Sequence, residues 1–226
     1  MTGPGIFGRQ VYVEPYANDL YYRLNGGSDI YEGDLDCDVD SACCWANAHP
    51  PGDEADFAVV DGLVDQGRLR RTLGADRRPD GKFLAVASHA SEERSFTAIF
   101  TSCAIACTLQ PVNVSFMFWS SARIELSVCQ SDLFETSAGQ WLHCVNVSNI
   151  VQPGPILVTL PSRAEGFQIS FVASNFANPF GNLLALDNIR VDFVVCPGAW
   201  NNIINFDNSD DDDNNYASRN NHSKFV

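Results

Sequence analysis

From Phe83 onward apolar and polar positions alternate in short bursts, and that period of two predicts strands. Phe167, Ile169 and Phe171 alternate with Gln168 and Ser170, and Val112, Val114, Phe116 and Phe118 alternate with Asn113, Ser115 and Met117. The same reading gives strands at Phe83–Ser88, Ser95–Thr101, Val112–Trp119, Arg123–Cys129, Trp141–Val147, Ile156–Leu160, Gly166–Ala173 and Leu183–Val195. Turn-forming stretches such as Gln152-Pro153-Gly154-Pro155 separate them. No helix of three turns is predicted. The expected class is all-β, a sandwich of two antiparallel sheets.

The segment Gly181–Cys196 carries a break in its pattern. Leu184 and Leu186 sit at one parity, whereas Ile189, Val191, Phe193 and Val195 sit at the other. A bulge or kink at Asp187-Asn188 reconciles the halves. It also places Asp187 inside an apolar strand, where a carboxylate needs donors or a cation. Arg190 and backbone amides are the alternative partners.

Outside this region the pattern fades. Residues 1–33 sustain no period and read as a linker or loosely packed arm, with some alternation over Gln10–Glu14. Residues 34–197 are the expected domain. Residues 198–226 turn to Asn, Asp and Ser, with four successive carboxylates at Asp210–Asp213, and read as a disordered tail. Asp34, Asp36, Asp38 and Asp40 would share one face of an extended segment, either solvated or around a hard cation. The spacing is not that of an EF-hand loop. Residues 62–82 reverse the sign with Arg68, Arg70, Arg71, Arg77, Arg78 and Lys82, and read as an exposed connection that lies against the acidic segment. Arg68-Leu69-Arg70-Arg71 also has the form of a dibasic processing site.

Composition narrows the function. The chain has 226 residues, 45% hydrophobic, with 15 Phe, enough for one well-cored domain plus tails. A net charge of −14 excludes a phosphate track, hence nucleic acid as partner. Eight cysteines favour disulfides in an oxidising compartment. Cys103 and Cys107 have the spacing of half a zinc site, but no second pair accompanies them. No stretch is long and apolar enough to span a membrane, and the first ten residues have no signal-peptide pattern. An extracellular protein or ectodomain of this sequence is therefore expected to be a fragment of a longer chain or the product of an incomplete gene model.

No HExxH, GxSxG or phosphate-binding glycine loop occurs, so no catalysis is expected. Asn113-Val114-Ser115, Asn146-Val147-Ser148 and Asn221-His222-Ser223 match the N-glycosylation acceptor pattern. Trp200 and the N-terminal tyrosines are candidates for stacking on a sugar ring, whereas Trp45, Trp119 and Trp141 read as core.

Taken in order, several motifs resemble a MAM domain, an extracellular adhesion and interaction module. Cys37-Asp38-Val39-Asp40 followed by Cys43-Cys44-Trp45 is similar to the family's opening, without its Phe and with Asp in place of Glu. Asp56-Phe57 resembles the family's Asp-Trp, and Val114–Trp119 its central aromatic strand, though the Met-x-Gly that usually follows is missing. Phe167–Phe171 with Leu186-Asp187-Asn188-Ile189 resembles the closing motif, with Asn188 where a second Asp is common. The resemblance spans about Leu35 to Cys196. It implies a jelly-roll sandwich, a Cys37–Cys43 disulfide, and a Cys near the third strand joined to Cys196. Cys107 and Cys103 compete for that role. Cys129 with Cys144 is an addition to the family set, and Cys44 takes whichever of Cys103 and Cys107 remains.

The resemblance also implies a Ca²⁺-type site from Asp38, Asp40, Asp56 and Asp187. Its functional expectation is a non-enzymatic module contacting an extracellular protein or a second copy of itself. The alternatives are a carbohydrate-binding jelly roll, with a glycan as partner, or a non-catalytic domain of a larger extracellular enzyme.

Overall fold

The structure is a computed structural model that describes residues 7–8, 10–17, 30–49, 52–88, 96–133, 140–148, 150, 152–178 and 181–197. The sequence folds into two antiparallel sheets, as its alternation requires. The strands are β1 (Val11–Pro15), β2 (Trp45–Asn47), β3 (Ala58–Gly62), β4 (Phe83–Ser88), β5 (Ala98–Ser102), β6 (Val112–Ser120), β7 (Glu125–Asp132), β8 (Trp141–Asn146), β9 (Ile156–Leu160), β10 (Phe167–Ser174) and β11 (Asn182–Asp192). One sheet runs β1-β3-β4-β11-β6-β9 and the other β2-β5-β10-β7-β8. From β4 to β11 the chain changes sheet at every connection except the β7–β8 hairpin, the interleaving of a jelly roll.

The main core lies between the sheets, where Phe116, Phe118, Leu184, Leu186 and Ile189 meet Phe100, Leu126, Ile169 and Phe171. Trp45 stacks on Phe100 at 5.5 Å with its indole N–H donating to the Leu35 carbonyl. The six-stranded sheet is apolar on its outer face too, where Val60, Phe83, Ala85, Met117, Trp119 and Leu183 form a second core with Phe7 and Leu69. Buried on both faces, β4 and the first half of β11 read as apolar runs instead of alternating.

The lid of this second core is α1 (Gln66–Leu73), capped by the Asp65 side chain on the Arg68 amide and ended by left-handed Gly74. It has two turns and one buried side chain, Leu69. That corrects the reading of residues 62–82 as an exposed connection, and it holds Arg68-Leu69-Arg70-Arg71 in helix with Leu69 1% exposed. The described part of the N-terminal arm is likewise packed. β1 pairs with β3, and Phe7 and Ile30 are buried. Trp200, Tyr21, Tyr22, Asn221 and the acidic tail lie outside the described residues.

Four disulfides close the sandwich: Cys37–Cys43, Cys44–Cys103, Cys107–Cys196 and Cys129–Cys144. Every cysteine is paired, which removes the zinc reading of Cys103 and Cys107. Four disulfides mark a chain that folds in an oxidising, secretory or extracellular setting. No helix among the described residues is long and apolar enough to cross a membrane.

Candidate functional site: an acidic recess and a polar sheet face

The expected break in β11 is a bulge. Its pairing with β6 shifts between Asp187 and Arg190, and Asn188 takes a left-handed φ of 52°, which Asn tolerates better than most residues. The extra residue keeps Leu184 and Leu186 on the same inner side as Ile189 and Val191. Beyond the end of β4, Cys37 takes over as neighbour, exchanging both backbone hydrogen bonds with Ile189 (2.8 and 2.9 Å). The opening segment is thus clipped onto the bulge by backbone, and the Cys37–Cys43 bond holds its return.

This clip builds an open recess of about 400 Å³ lined by Asp38, Asp40, Asp80, Gly81, Asp187, Asn188 and Arg190. Asp187 is 2% exposed. Burial pushes its carboxyl up to about 6, the amides of Asn188 and Asp80 act in the opposite sense, and the charges of Asp80 and Asp40 add to the rise. Asp38 accepts from the Asp40 amide and the Ser41 hydroxyl. Arg190 does not neutralise Asp187. Its guanidinium lies 3.6 Å from Asp36, whose other oxygen accepts from the Val191 amide at 3.0 Å.

The four opening aspartates are therefore not a row on one face. Asp34 caps the Tyr31 amide, Asp36 binds β11, and Asp38 and Asp40 reach the recess. Asp56 is not among the residues lining it. Its charge acts instead on Asp53, whose carboxyl is pushed to about 7 by burial and by Asp56 and Glu54, against the Ile99 amide bonded at 2.9 Å. The connection after α1 does meet the acidic segment, but at Gly81 beside Asp40 and with Asp80, not with its bases. Arg70 pairs with Asp76, and Arg78 bonds the Val64 carbonyl. Asp53 and Asp80 were not legible as site residues. The Pro79-Asp80-Gly81 turn was the only signal for the second.

Beside the Arg190 guanidinium, the recess offers carboxylate and amide oxygens, the donor chemistry of a hard cation such as Ca²⁺. Among the described residues, no three His, Cys, Asp or Glu side chains converge as a ready metal-holding group. The two carboxyls of raised pKa sit in different carboxylate sets, Asp53 with Glu54 and Asp56, Asp187 with Asp40 and Asp80.

The second feature is the outer face of the five-stranded sheet. Glu125, Ser127, Cys129 and Ser131 of β7 face outward, since Leu126 and Val128 fill the core. β10 places half-buried Gln168 beside them, its amide nitrogen donating to the Ser102 carbonyl at 2.9 Å, and Ser170, which is buried and bonds Thr101 of β5 at 3.1 Å. On the edge strand β8 the register shifts so that Trp141 pairs with Ser131 while His143 pairs with Gln130. A bulge of this kind turns Trp141 and Leu142 to the same side. Trp141 is half-buried and belongs to neither core, and Leu142 is 47% exposed. Trp45 and Trp119 are core, as expected; Trp141 is not. It stands on a face of hydroxyls and an amide.

Fold and site together define a disulfide-stapled antiparallel β-sandwich with an acidic recess at a bulge and an aromatic-bearing polar sheet face. No protein-family model and no curated protein sequence matches the chain. Among solved structures it is similar to the enzymatically active domain of bacteriophage CBA120 tailspike protein 4 (12% identity, 72% of this chain and 20% of that one, TM-score 0.39), of which it spans a fifth. It is also similar to the family 11 carbohydrate-binding module of Lic26A-Cel5E of Clostridium thermocellum (12% identity, 75% and 97%, TM-score 0.40). A third is TmCBM61 in complex with β-1,4-galactotriose (12% identity, 66% and 88%, TM-score 0.35). At these values the likeness extends to no particular side chain.

Proposed function

We propose that this chain is a non-catalytic extracellular binding module that takes a neutral glycan on the outer face of its five-stranded sheet. The observation that carries the reading is Trp141, turned outward by the β8 bulge beside Ser131 and one strand from Gln168. An indole face stacks on the apolar face of a sugar ring, while hydroxyl and amide groups around it take the ring hydroxyls. With a net charge of −14 the molecule repels anionic glycans, which selects neutral ones. The test is a glycan array probed with oxidised protein and with Trp141→Ala. The wild type retains on neutral oligosaccharides and the variant loses retention with its melting temperature unchanged; equal retention by both removes the reading.

A second reading, the MAM-like protein-contact module, is favoured by the recess, where the opening acids and the closing Asp187 meet as that resemblance implies. A Ca²⁺ ion there would draw on Asp38, Asp40, Asp80 and Asp187, which line the recess without converging on one point, and would fix the loops around the bulge by gathering them. Sedimentation of the protein with and without Ca²⁺ separates the two readings: a Ca²⁺-dependent dimer supports the second, a monomer in both conditions counts against self-association.

A further inference from the structure

Two acceptor sequons lie within the described residues, and the fold treats them differently. Asn113 sits in mid-strand of β6, between Asp192 of β11 and Thr159 of β9, half-buried, with its Oδ1 accepting from the Thr159 hydroxyl at 2.8 Å. Asn146 is the last residue of the edge strand β8 and is exposed. Its Oδ1 accepts from the Ser148 amide at 3.0 Å, which folds the Asn and the sequon's hydroxyl residue into one turn. Among the described residues no hydrogen bond engages its Nδ2. Asn146 pairs with Ser127, so it projects on the outer face that carries Trp141.

We infer that Asn146 is the occupied N-glycan acceptor of the folded domain, Asn113 is bare, and the glycan on Asn146 shields the Trp141 face. The shielding rests on the glycan-binding reading; the acceptor assignment does not. In the modification the Asn146 Nδ2 attacks the anomeric carbon of an oligosaccharide linked to a polyprenyl diphosphate. The N–C bond forms, the C–O bond to the diphosphate breaks, the amide gives up one proton to base, and the polyprenyl diphosphate leaves. The four disulfides place the chain where such donors act. Asn146 lies five positions along β8 from Trp141, roughly 16 Å at strand rise, a span that a branched core glycan covers.

The experiment uses the full chain secreted from eukaryotic cells. Glycopeptide mass mapping with enzymatic release in ¹⁸O water reads occupancy. Binding to a panel of neutral oligosaccharides is then measured for the glycosylated protein, the released protein and Asn146→Gln. The expected result is label at Asn146, none at Asn113, and affinity raised roughly tenfold in both glycan-free forms. A bare Asn146, or an occupied Asn113, overturns the assignment. An occupied Asn146 with unchanged affinity overturns the shielding. If no form binds any sugar, the glycan-binding reading falls and the shielding with it, while the mass map still decides the acceptor.

Discussion

Asp187 has two carboxylate neighbours, two amide donors and almost no water, so its charged form is held at a disadvantage. The sign of the pH dependence follows. Between the ordinary 3.8 and about 6 the folded protein keeps a proton that the unfolded chain has released. Stability from this group is therefore fully present below 3.8 and is lost as the pH rises through about 6. At about 1.4 kcal/mol per pKa unit the effect is of the order of a few kcal/mol. Asp53 acts in the same sense up to about 7. Asp187→Asn is expected to melt higher than wild type at pH 7.5 and to lose its share of the slope between pH 4 and 7. If the recess takes Ca²⁺ through Asp187, as the second reading proposes, the ion offsets the wild-type penalty and leaves the variant unmoved. Thermal melts across pH, with and without Ca²⁺, check this; a variant that still responds to Ca²⁺ removes Asp187 from the cation site.

At the scale of the element, β11 shows what a sequence makes legible. The change of parity between Leu186 and Ile189 had one economical explanation, and the bulge is there. Asn188 matters to it as a left-handed residue, whatever ligand role it has. Asn188→Gly should be tolerated, while Asn188→Val should destabilise by about 1–2 kcal/mol, the cost of a left-handed β-branched residue. Urea unfolding distinguishes them; equal loss in both means the side chain, not the backbone, sets the bulge.

The strands with clean alternation were readable to within a few residues because each has one face in the core. β2 and β3 were not, being short and set among turns and acids. α1 was missed because it is only two turns long and its apolar pair, Leu69 and Leu73, lies among three arginines that read as an exposed run. Trp141 read as core because its outward turn comes from a register shift that no spacing in the sequence reports.

For the whole molecule, the disulfides tie the ends of the sandwich to its middle. Cys107–Cys196 closes 89 residues and fastens the last strand region beside the Thr108–Val195 bridge. Loop entropy puts its contribution at about 4–5 kcal/mol, against about 3 for the 15-residue closure by Cys129–Cys144. Paired alanine variants compared by denaturant midpoint should preserve that order; a larger loss at Cys129–Cys144 would mean that the edge strand depends on its staple more than the closure of the fold does. Of the four pairs, the resemblance implied Cys37–Cys43 and left Cys103 and Cys107 competing for Cys196, while Cys129–Cys144 lay outside the family set; the acid set did not transfer intact. Asp56 went to another cluster and Asp80 came in from a turn.

The proposed working surface is a sheet face, not a catalytic cleft. NMR titration of the labelled protein with a neutral oligosaccharide reads that surface directly through the Trp141 indole N–H and the amides of Ser131 and Gln168. The account predicts saturable shifts at these groups with those of Asp187 and Asn188 unmoved. Shifts confined to the recess, or turnover of the oligosaccharide during the titration, would contradict it.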